Sequence, residues 1–288
     1  MKTAIATDTN SGITQEFARE MEIFLLPMPV IVDGIAYFEG DDITHQQLYE
    51  VMRNHQDIST SQPSPGQLME FWDRIFSSGY DEIVYIPMSS GLSNSCHMAI
   101  QMAKNYDEKV KVVDNHRISV TQAESVISAY RLMQSGMHAE EIKNYLEERA
   151  YEASIYITVD SMEYLKKGGR VTPAAAAFAT VLNLKPVLTI QGDKLDSFSK
   201  VRGMKLAESK MIDAVLQDRR TRFAEVPDTQ LMVETAGTFE NKDKARQWRE
   251  RVQQAFPGIR ISYVDLPCSI ACHVGINAAG IGILKKEV

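Results

Sequence analysis

The chain has 288 residues, of which 44% are hydrophobic and 24% are charged. This length favours two domains, and the hydrophobic share argues against a disordered or fibrous chain. The net charge of −7 argues against a nucleic-acid partner, because domains that hold phosphate backbones are usually basic. No apolar stretch approaches the ~20 residues that cross a bilayer, and charge comes too early at the N-terminus for a signal peptide. We therefore expect a cytoplasmic protein.

The first half alternates short hydrophobic runs with amphipathic segments. Strands are predicted at Ala4–Asp8, within the β-rich run Ile23–Phe38, and at Glu82–Met88 and Val110–Val113. Helices are predicted at Thr14–Met21, Thr44–Arg53, Ser64–Ser77, Ser95–Tyr106, Ser119–Gln134 and Ala139–Arg149. Such alternation is typical of βαβ units. Residues 1–153 are therefore interpreted as a Rossmann-like domain with a parallel sheet.

From about residue 154 the pattern changes. Strands are predicted at Ser154–Val159, Pro186–Gln191, Lys194–Lys200, Gln230–Glu234, Ile259–Leu266 and Ile281–Leu284. Helices are predicted at Met162–Lys167, Ala174–Leu182, Lys205–Arg219 and Lys242–Phe256. The Gly192-Asp193 pair predicts a β-hairpin between two of these strands. Residues 154–288 are interpreted as an α+β domain.

Two hydroxyl-rich loops, Ser59–Ser64 and Ser89–Ser95, each lead into a predicted helix. Unpaired N–H groups and the helix dipole favour an anion at such a terminus. An α/β sheet also binds its ligands beyond the carboxyl ends of its strands. Ordinary N-caps would explain either loop alone, but two of them at one sheet edge predict a shared anion-binding site.

The sequence contains few motifs that would indicate catalysis on a bound anion. The sequence contains neither a Gly-x-Ser-x-Gly elbow nor a Walker motif, and no dinucleotide fingerprint. Asp8 and Asp114 end predicted strands, where carboxylates either cap loop amides or catalyse. Together with His273 they are the candidates for a small-molecule phosphotransferase or hydrolase, which is one alternative function. A non-catalytic regulatory module is another.

The three cysteines, Cys96, Cys268 and Cys272, form no disulfide framework, since their number is odd. Cys268-x-x-x-Cys272-His273 could supply zinc ligands only together with Cys96 and His97. Those two residues would lie on adjacent faces of a predicted helix. Buried, reduced cysteines and no metal site are therefore the preferred interpretation.

Short motifs spread along the chain resemble the DegV family. The matching segments are Thr7–Ser11, Thr60–Ser64, Ser89–Ser93, Val112–Asp114, Leu165–Arg170, Lys185-Pro186, Lys200–Gly203 and His273–Gly275. Their order and spacing make the match specific over essentially the whole chain. The sequence departs from the usual family pattern at Asn94-Ser95, at Asn115 and at Ile276-Asn277.

The resemblance implies a non-enzymatic subunit that binds a long-chain fatty acid between the two domains. It further implies that the carboxylate is presented to a separate ATP-binding kinase subunit and that the acyl phosphate enters phospholipid synthesis. Transient contact with a membrane or an acyltransferase, and no cofactor beyond the fatty acid, are also implied. By the same resemblance, the carboxylate is bound by Thr60 and Ser93, with Ser61 and Ser90 nearby. The resemblance also places Arg170, Arg202 and His273 near the head group or on the kinase-docking face.

An acyl chain would supply most of the affinity, because burial yields ~0.8 kcal/mol per CH₂. Its tunnel needs apolar walls. Ala174–Leu182 and the faces around Met98 and Met102 are candidates, and ordinary core packing explains them equally well.

Overall fold

The computed structural model of this protein describes residues 1–176, 184–191 and 194–286. In these ranges the strands are β1 Thr3–Asp8, β2 Ile23–Leu26, β3 Pro29–Val32, β4 Ile35–Phe38, β5 Ile58–Thr60, β6 Glu82–Ile86, β7 Val110–Val112, β8 Ala153–Thr158, β9 Leu184–Ile190, β10 Asp196–Arg202, β11 Leu231–Gly237, β12 Tyr263–Asp265 and β13 Ala279–Lys285. The helices are α1 Gln15–Glu20, α2 His45–Arg53, α3 Pro65–Ser77, α4 Ser95–Ala103, α5 Val120–Gln134, α6 Ala139–Glu148, α7 Glu163–Gly168, α8 Pro173–Ala176, α9 Met204–Arg220, α10 Lys242–Ala255 and α11 Cys268–Val274.

A four-stranded parallel sheet in the order β2-β1-β6-β7 forms the centre of the first half. Every residue of β1 and of β6 is buried, because helices cover both faces. Helix α3 packs Leu68 and Trp72 on one face, and α5 packs Val126 and Ala129 on the other. The predicted Rossmann-like arrangement is confirmed, and the carboxyl ends of β1 and β6 lie at one edge of the sheet.

The β-rich run at 23–38 divides between two sheets. β2 joins the parallel sheet, whereas β3 and β4 form a hairpin around Asp33 and Gly34, both with positive φ. An Asp-Gly pair is a strong hairpin signal. β5 pairs with β3, so the predicted Ser59–Ser64 loop begins with two strand residues. This pairing fixes the backbone of Thr60 opposite Val30.

A six-stranded mixed sheet in the order β10-β9-β8-β13-β11-β12 forms the second half. Its first strand in the chain, β8, begins at Ala153, next to the boundary predicted between residues 153 and 154. Helices α9 and α10 cover one face, where Met211 and Trp248 are buried. The other face, with Ile157 and Leu188, packs against Val120 of the first half.

In the second half, two predicted elements differ from the structure and one helix was not predicted. The predicted strand Ile259–Leu266 contracts to Tyr263–Asp265. Helix α11 was not predicted, because its sequence was interpreted as a cysteine motif and not by its helical periodicity. Of the predicted helix Ala174–Leu182, the first three residues lie in α8 and residues 177–183 lie outside the described ranges, as do Gly192 and Asp193 of the predicted turn.

All three cysteines are free and buried, as the sequence predicted. Burial raises the pKa of each thiol, for Cys272 to about 12, so they remain protonated. Within the described ranges, no helix has the length and apolarity that crossing a bilayer requires.

Replacing Ser64 with alanine should lower the free energy of unfolding by about 1 kcal/mol. Ser64 and Gln67 form a complete capping box at the start of α3, and the serine side chain accepts the Gln67 N–H at 3.2 Å. Urea denaturation followed by circular dichroism measures the change. Ser64→Thr keeps the acceptor and should stay near the parent value. Equal losses in both variants would contradict the capping role.

Candidate functional site

One cavity lies between the two halves and takes its walls from both. It contains about 940 Å³ not occupied by atoms, including its solvent-open mouth. Its apolar lining comes from the first half through Leu92, Ile118 and Val120, and from the second half through Ile157 and Ile190. Small-molecule sites in proteins are typically concave and lined mostly by apolar side chains with a few polar groups, as this cavity is. The walls therefore suit an aliphatic chain.

Polar side chains gather at one end of this cavity. Thr60, Ser61, Ser93, Arg170 and His273 line it together. Ser61 is exposed and the other four are half-buried, whereas the apolar lining is largely buried. The polar end is therefore the end nearer to solvent. Five of the seven residues that the resemblance assigned to the ligand meet here.

A hydrogen bond of 2.8 Å joins Thr60 Oγ1 to His273 Nε2. Burial, with the Arg170 guanidinium nearby, lowers the pKa of His273 to about 4, so the imidazole is neutral at pH 7. His273 Nδ1 is buried and has no hydrogen-bond partner in the part of the chain that the structure describes. An orphaned acceptor on this atom is less costly than an orphaned donor, because an unpaired N–H is the rarer defect. We therefore assign the proton to Nε2, which leaves the Thr60 hydroxyl free to donate to a ligand.

Gly168 makes room for the imidazole. A Cβ on this residue would lie 2.2 Å from His273 Nδ1, closer than any real contact. The residue ends helix α7, and the next residue, Gly169, turns the chain with φ +69 toward Arg170. The Gly168-Gly169 pair thus packs one ring and redirects the chain to bring the guanidinium to the cavity.

Arg170 and Ser93 are held by backbone contacts that leave donors free. Arg170 Nε donates to the Leu92 carbonyl at 3.2 Å and Nη1 donates to the Gly168 carbonyl. Its Nη2 makes no hydrogen bond within the described part of the chain. Ser93 Oγ accepts the N–H of Ser95 at 3.2 Å, so its own proton is available. The polar end therefore offers hydroxyl donors and one cation to an anion.

Two assigned residues lie elsewhere. Ser90 does not line the cavity, and its N–H donates to Asp114 Oδ1 at 3.3 Å. Arg202 ends the edge strand β10 with its side chain exposed and is not part of the cavity wall. Arg202 therefore lies away from the polar end of the cavity. Of the two positions that the resemblance implied for this residue, the kinase-docking face remains an expectation.

The alternative catalytic set does not converge. Asp8 accepts the N–H groups of Asn10 and Met88 and an amide N–H of Gln122, at 2.9–3.1 Å. Burial raises the pKa of Asp8 to about 6. Asp114 accepts from the Ser90 backbone, and neither carboxylate lines the cavity that contains His273. Both aspartates are loop caps, which was the simpler interpretation of each.

Three polar residues of the cavity wall were not predicted, namely Asn10, Ser119 and Ser269, whereas Gln62 belongs to the predicted Ser59–Ser64 loop. Asn10 could have been inferred from its place after β1, but the two serines follow only from packing. The Met98 and Met102 faces are a correction, because both side chains pack with the core under α3 and not in the cavity wall.

The Ile276-Asn277 departure leaves the loop after His273 well defined. Asn277 has φ 61, in the left-handed region that asparagine tolerates better than most residues. Its N–H donates to the Thr238 carbonyl at 2.9 Å. Asparagine therefore takes the left-handed position at 277, and a backbone hydrogen bond closes the loop.

The buried imidazole predicts a pH dependence of stability. As pH falls from 6.5 toward 4, the unfolded chain takes up a proton that folded His273 does not, so the free energy of unfolding should fall by up to ~1.4 kcal/mol per pH unit. Asp8, with its raised pKa, contributes with the opposite sign below about pH 6. Urea titrations between pH 7.5 and 6 should therefore show a smaller loss in His273→Gln than in the parent.

An exposed histidine provides the control for this measurement. His97→Gln, on the outer face of α4, should keep the parent slope. An unchanged slope in His273→Gln would mean that this imidazole titrates normally in the folded protein.

Comparison with known proteins places this chain in a family. The family model described as "Uncharacterised protein, DegV family" matches residues 2–286. A DegV domain-containing protein of Caldanaerobacter subterraneus is 28% identical over 286 residues, which cover 99% of both chains.

Two solved structures share the whole fold. A DegV family protein from Thermus thermophilus, described as fatty-acid binding, superposes with a TM-score of 0.88 at 25% identity, covering 99% of this chain and 100% of the other. A fatty-acid-binding DegV family protein from Streptococcus agalactiae has a TM-score of 0.86 at 25% identity, covering 99% of both chains. With the family model matched over nearly every residue, the chain belongs to the DegV family.

Proposed function

We propose that this protein binds a long-chain fatty acid in the cavity between its two halves. The observation that carries the proposal is one largely apolar cavity with five polar side chains, Thr60, Ser61, Ser93, Arg170 and His273, at the end nearer to solvent. An acyl chain in the interior and a carboxylate at the polar end match that distribution. The fatty-acid binding described for the Thermus thermophilus and Streptococcus agalactiae relatives supports the same ligand.

The carboxylate is held by Thr60 and Ser93 in this proposal. Each has a hydroxyl proton that its own hydrogen bonds leave free, and Arg170 Nη2 adds charge beside them. Ser61 lies at the exposed rim and serves as a secondary donor. Ser90 is outside the cavity wall and takes no part.

Affinity and selectivity then have separate origins. Burial of a long chain contributes on the order of 10 kcal/mol, from ~0.8 kcal/mol per CH₂. A hydrogen bond to a charged group contributes ~1.5–3 kcal/mol. The tail therefore sets how tightly a lipid binds, and the hydroxyls select an acid over an alcohol.

A separate kinase is the proposed recipient of the bound acid. The exposed rim at Ser61 leaves the head group within reach of another protein, whereas Asp8 and Asp114 are occupied as caps. The fatty acid kinase role comes from the family resemblance. It makes this chain the lipid-presenting subunit and its partner the ATP-binding one, with acyl phosphate passing to phospholipid synthesis.

Native mass spectrometry and titration test the ligand. The purified chain should carry a co-purified fatty acid, and delipidated protein should bind hexadecanoic acid. Absence of binding at micromolar concentration would refute the proposal. Delipidated chain that turned over acyl phosphate or another phosphorylated substrate by itself would favour the phosphotransferase or hydrolase alternative.

Thr60→Val combined with Ser93→Ala should weaken binding of hexadecanoic acid by about 100-fold or more, since two charge-assisted hydrogen bonds are lost. Binding of hexadecanol should change little. Isothermal titration with delipidated protein measures both constants. Ser90→Ala is the matched control and should bind both lipids as the parent does. Parallel losses for acid and alcohol would show instead that the cavity had collapsed.

Acyl-phosphate formation tests the partner. The loaded chain, mixed with a bacterial ATP-binding fatty acid kinase subunit and ATP, should yield acyl phosphate, measured as the hydroxamate after trapping with hydroxylamine. The Thr60→Val, Ser93→Ala chain should yield much less at the same lipid concentration. If the chain binds a fatty acid but no such subunit phosphorylates it, the kinase role is refuted and the lipid-binding function stands.

A further inference from the structure

Ser119 carries a hydroxyl that residues 1–176, 184–191 and 194–286 leave without a hydrogen-bond partner. The side chain lines the cavity, and the residue is only 7% exposed. Leaving a buried polar group unpaired is unfavourable, because its hydrogen bonds to water are lost on burial. A group that pairs with this hydroxyl must therefore come from whatever fills the cavity.

The backbone of Ser119 is strained as well. Its φ of 54 and ψ of −134 fall where side chains other than glycine are rarely found. It precedes the 15-residue helix α5 without capping it, while its N–H donates to the Asn10 carbonyl at 3.0 Å. Glycine would adopt this backbone without strain and without an orphaned hydroxyl. Strain of this kind clusters at ligand sites.

Asn10 and Ser269 lie beside Ser119 in the cavity wall. Ser269 Oγ donates to Asn10 Oδ1 at 2.6 Å. Among the described residues, Asn10 Nδ2 reaches only the Met88 sulfur at 3.0 Å, and a thioether is a weak acceptor. Both residues are buried, at 2% and 5% exposure. The cavity wall therefore offers an amide donor and the Ser119 hydroxyl to a ligand.

The polar group formed by Asn10, Ser119 and Ser269 is separate from the polar end of the cavity, where Thr60 and His273 lie. Ser269 precedes His273 by four residues in α11, so the two side chains share one face, about 6 Å apart. The second polar position thus lies about one helical turn from the Thr60–His273 pair. An acyl chain that starts at that pair passes the second position within its first few carbons.

Charge favours a neutral ligand group at this position. The buried Asp8 carboxylate accepts the Asn10 N–H at 3.0 Å and lies directly behind it. A second carboxylate would be repelled there, whereas a hydroxyl can accept from Asn10 Nδ2 and donate to Ser119 Oγ.

We propose that Ser119, Asn10 and Ser269 form a second binding position that selects fatty acids with a hydroxyl group near the carboxyl end. This inference rests on the proposed function. It adds a class of ligand, the hydroxylated acyl chain, and names Ser119 as the residue that determines the preference.

Titration of the delipidated full chain with a matched series tests the proposal. The ligands are hexadecanoic acid and its 3-hydroxy, 5-hydroxy and 16-hydroxy derivatives. The parent should prefer the 3-hydroxy or 5-hydroxy acid over hexadecanoic acid by roughly 3- to 10-fold, the value of one additional hydrogen bond. The 16-hydroxy acid should show no such preference.

Two variants of Ser119 distinguish the effect of its hydroxyl group from the effect of its strained backbone. Ser119→Ala and Ser119→Gly should both bring the ratio of 3-hydroxy or 5-hydroxy acid affinity to hexadecanoic acid affinity to about one, and the glycine variant should have the higher melting temperature. Ser128→Ala is the control, since Ser128 Oγ in α5 is also buried and without a partner among the described residues but does not line the cavity. It should keep the parent preference.

Other outcomes overturn the inference in distinguishable ways. Equal binding of all four acids by the parent would mean that water satisfies Ser119. Weaker binding of every acid in Ser119→Ala would make it a carboxylate ligand. Failure of hexadecanoic acid to bind the parent would refute the proposed function itself.

Discussion

The hydrogen bond between Thr60 and His273 joins the two halves of the molecule at the polar end of the cavity. β5 supplies the threonine and α11 supplies the histidine, 213 residues apart in the chain. The imidazole fits only because Gly168 has no Cβ, and burial keeps it neutral. A neutral ring can orient Thr60 without adding a second positive charge beside Arg170.

Around that bond the cavity separates two physical tasks. Apolar side chains enclose a space that suits a hydrocarbon chain. They come from the loops of the parallel sheet and from the face of the six-stranded sheet opposite α9 and α10. Polar groups are confined to the outer end and to the position around Ser119. Dispersion and the hydrophobic effect act over the whole chain length, whereas hydrogen bonds act at points. The same cavity can therefore bind tightly and still discriminate between head groups.

The carboxylates that first suggest catalysis are engaged in positioning loops. Asp8 ties the loop after β1 to that after β6, and Asp114 holds the backbone of Ser90. These contacts set the edge of the parallel sheet on which Ser93 lies. The raised pKa of Asp8 reflects burial among amide donors, not proximity to a reacting group. Neither carboxylate lines the cavity between the two halves.

The sequence by itself determined the alternation of strands and helices, the capping boxes at Thr44 and Ser64, and the two hydroxyl-rich segments, because these depend on local periodicity and side-chain chemistry. Tertiary structure alone decided which residues share the cavity. It placed Ser119 in the wall and Met98 in the core, and it separated Arg202 from the head-group end. Those outcomes depend on the packing of α5 and α11 between sheets distant in sequence, and no local pattern encodes such long-range contacts.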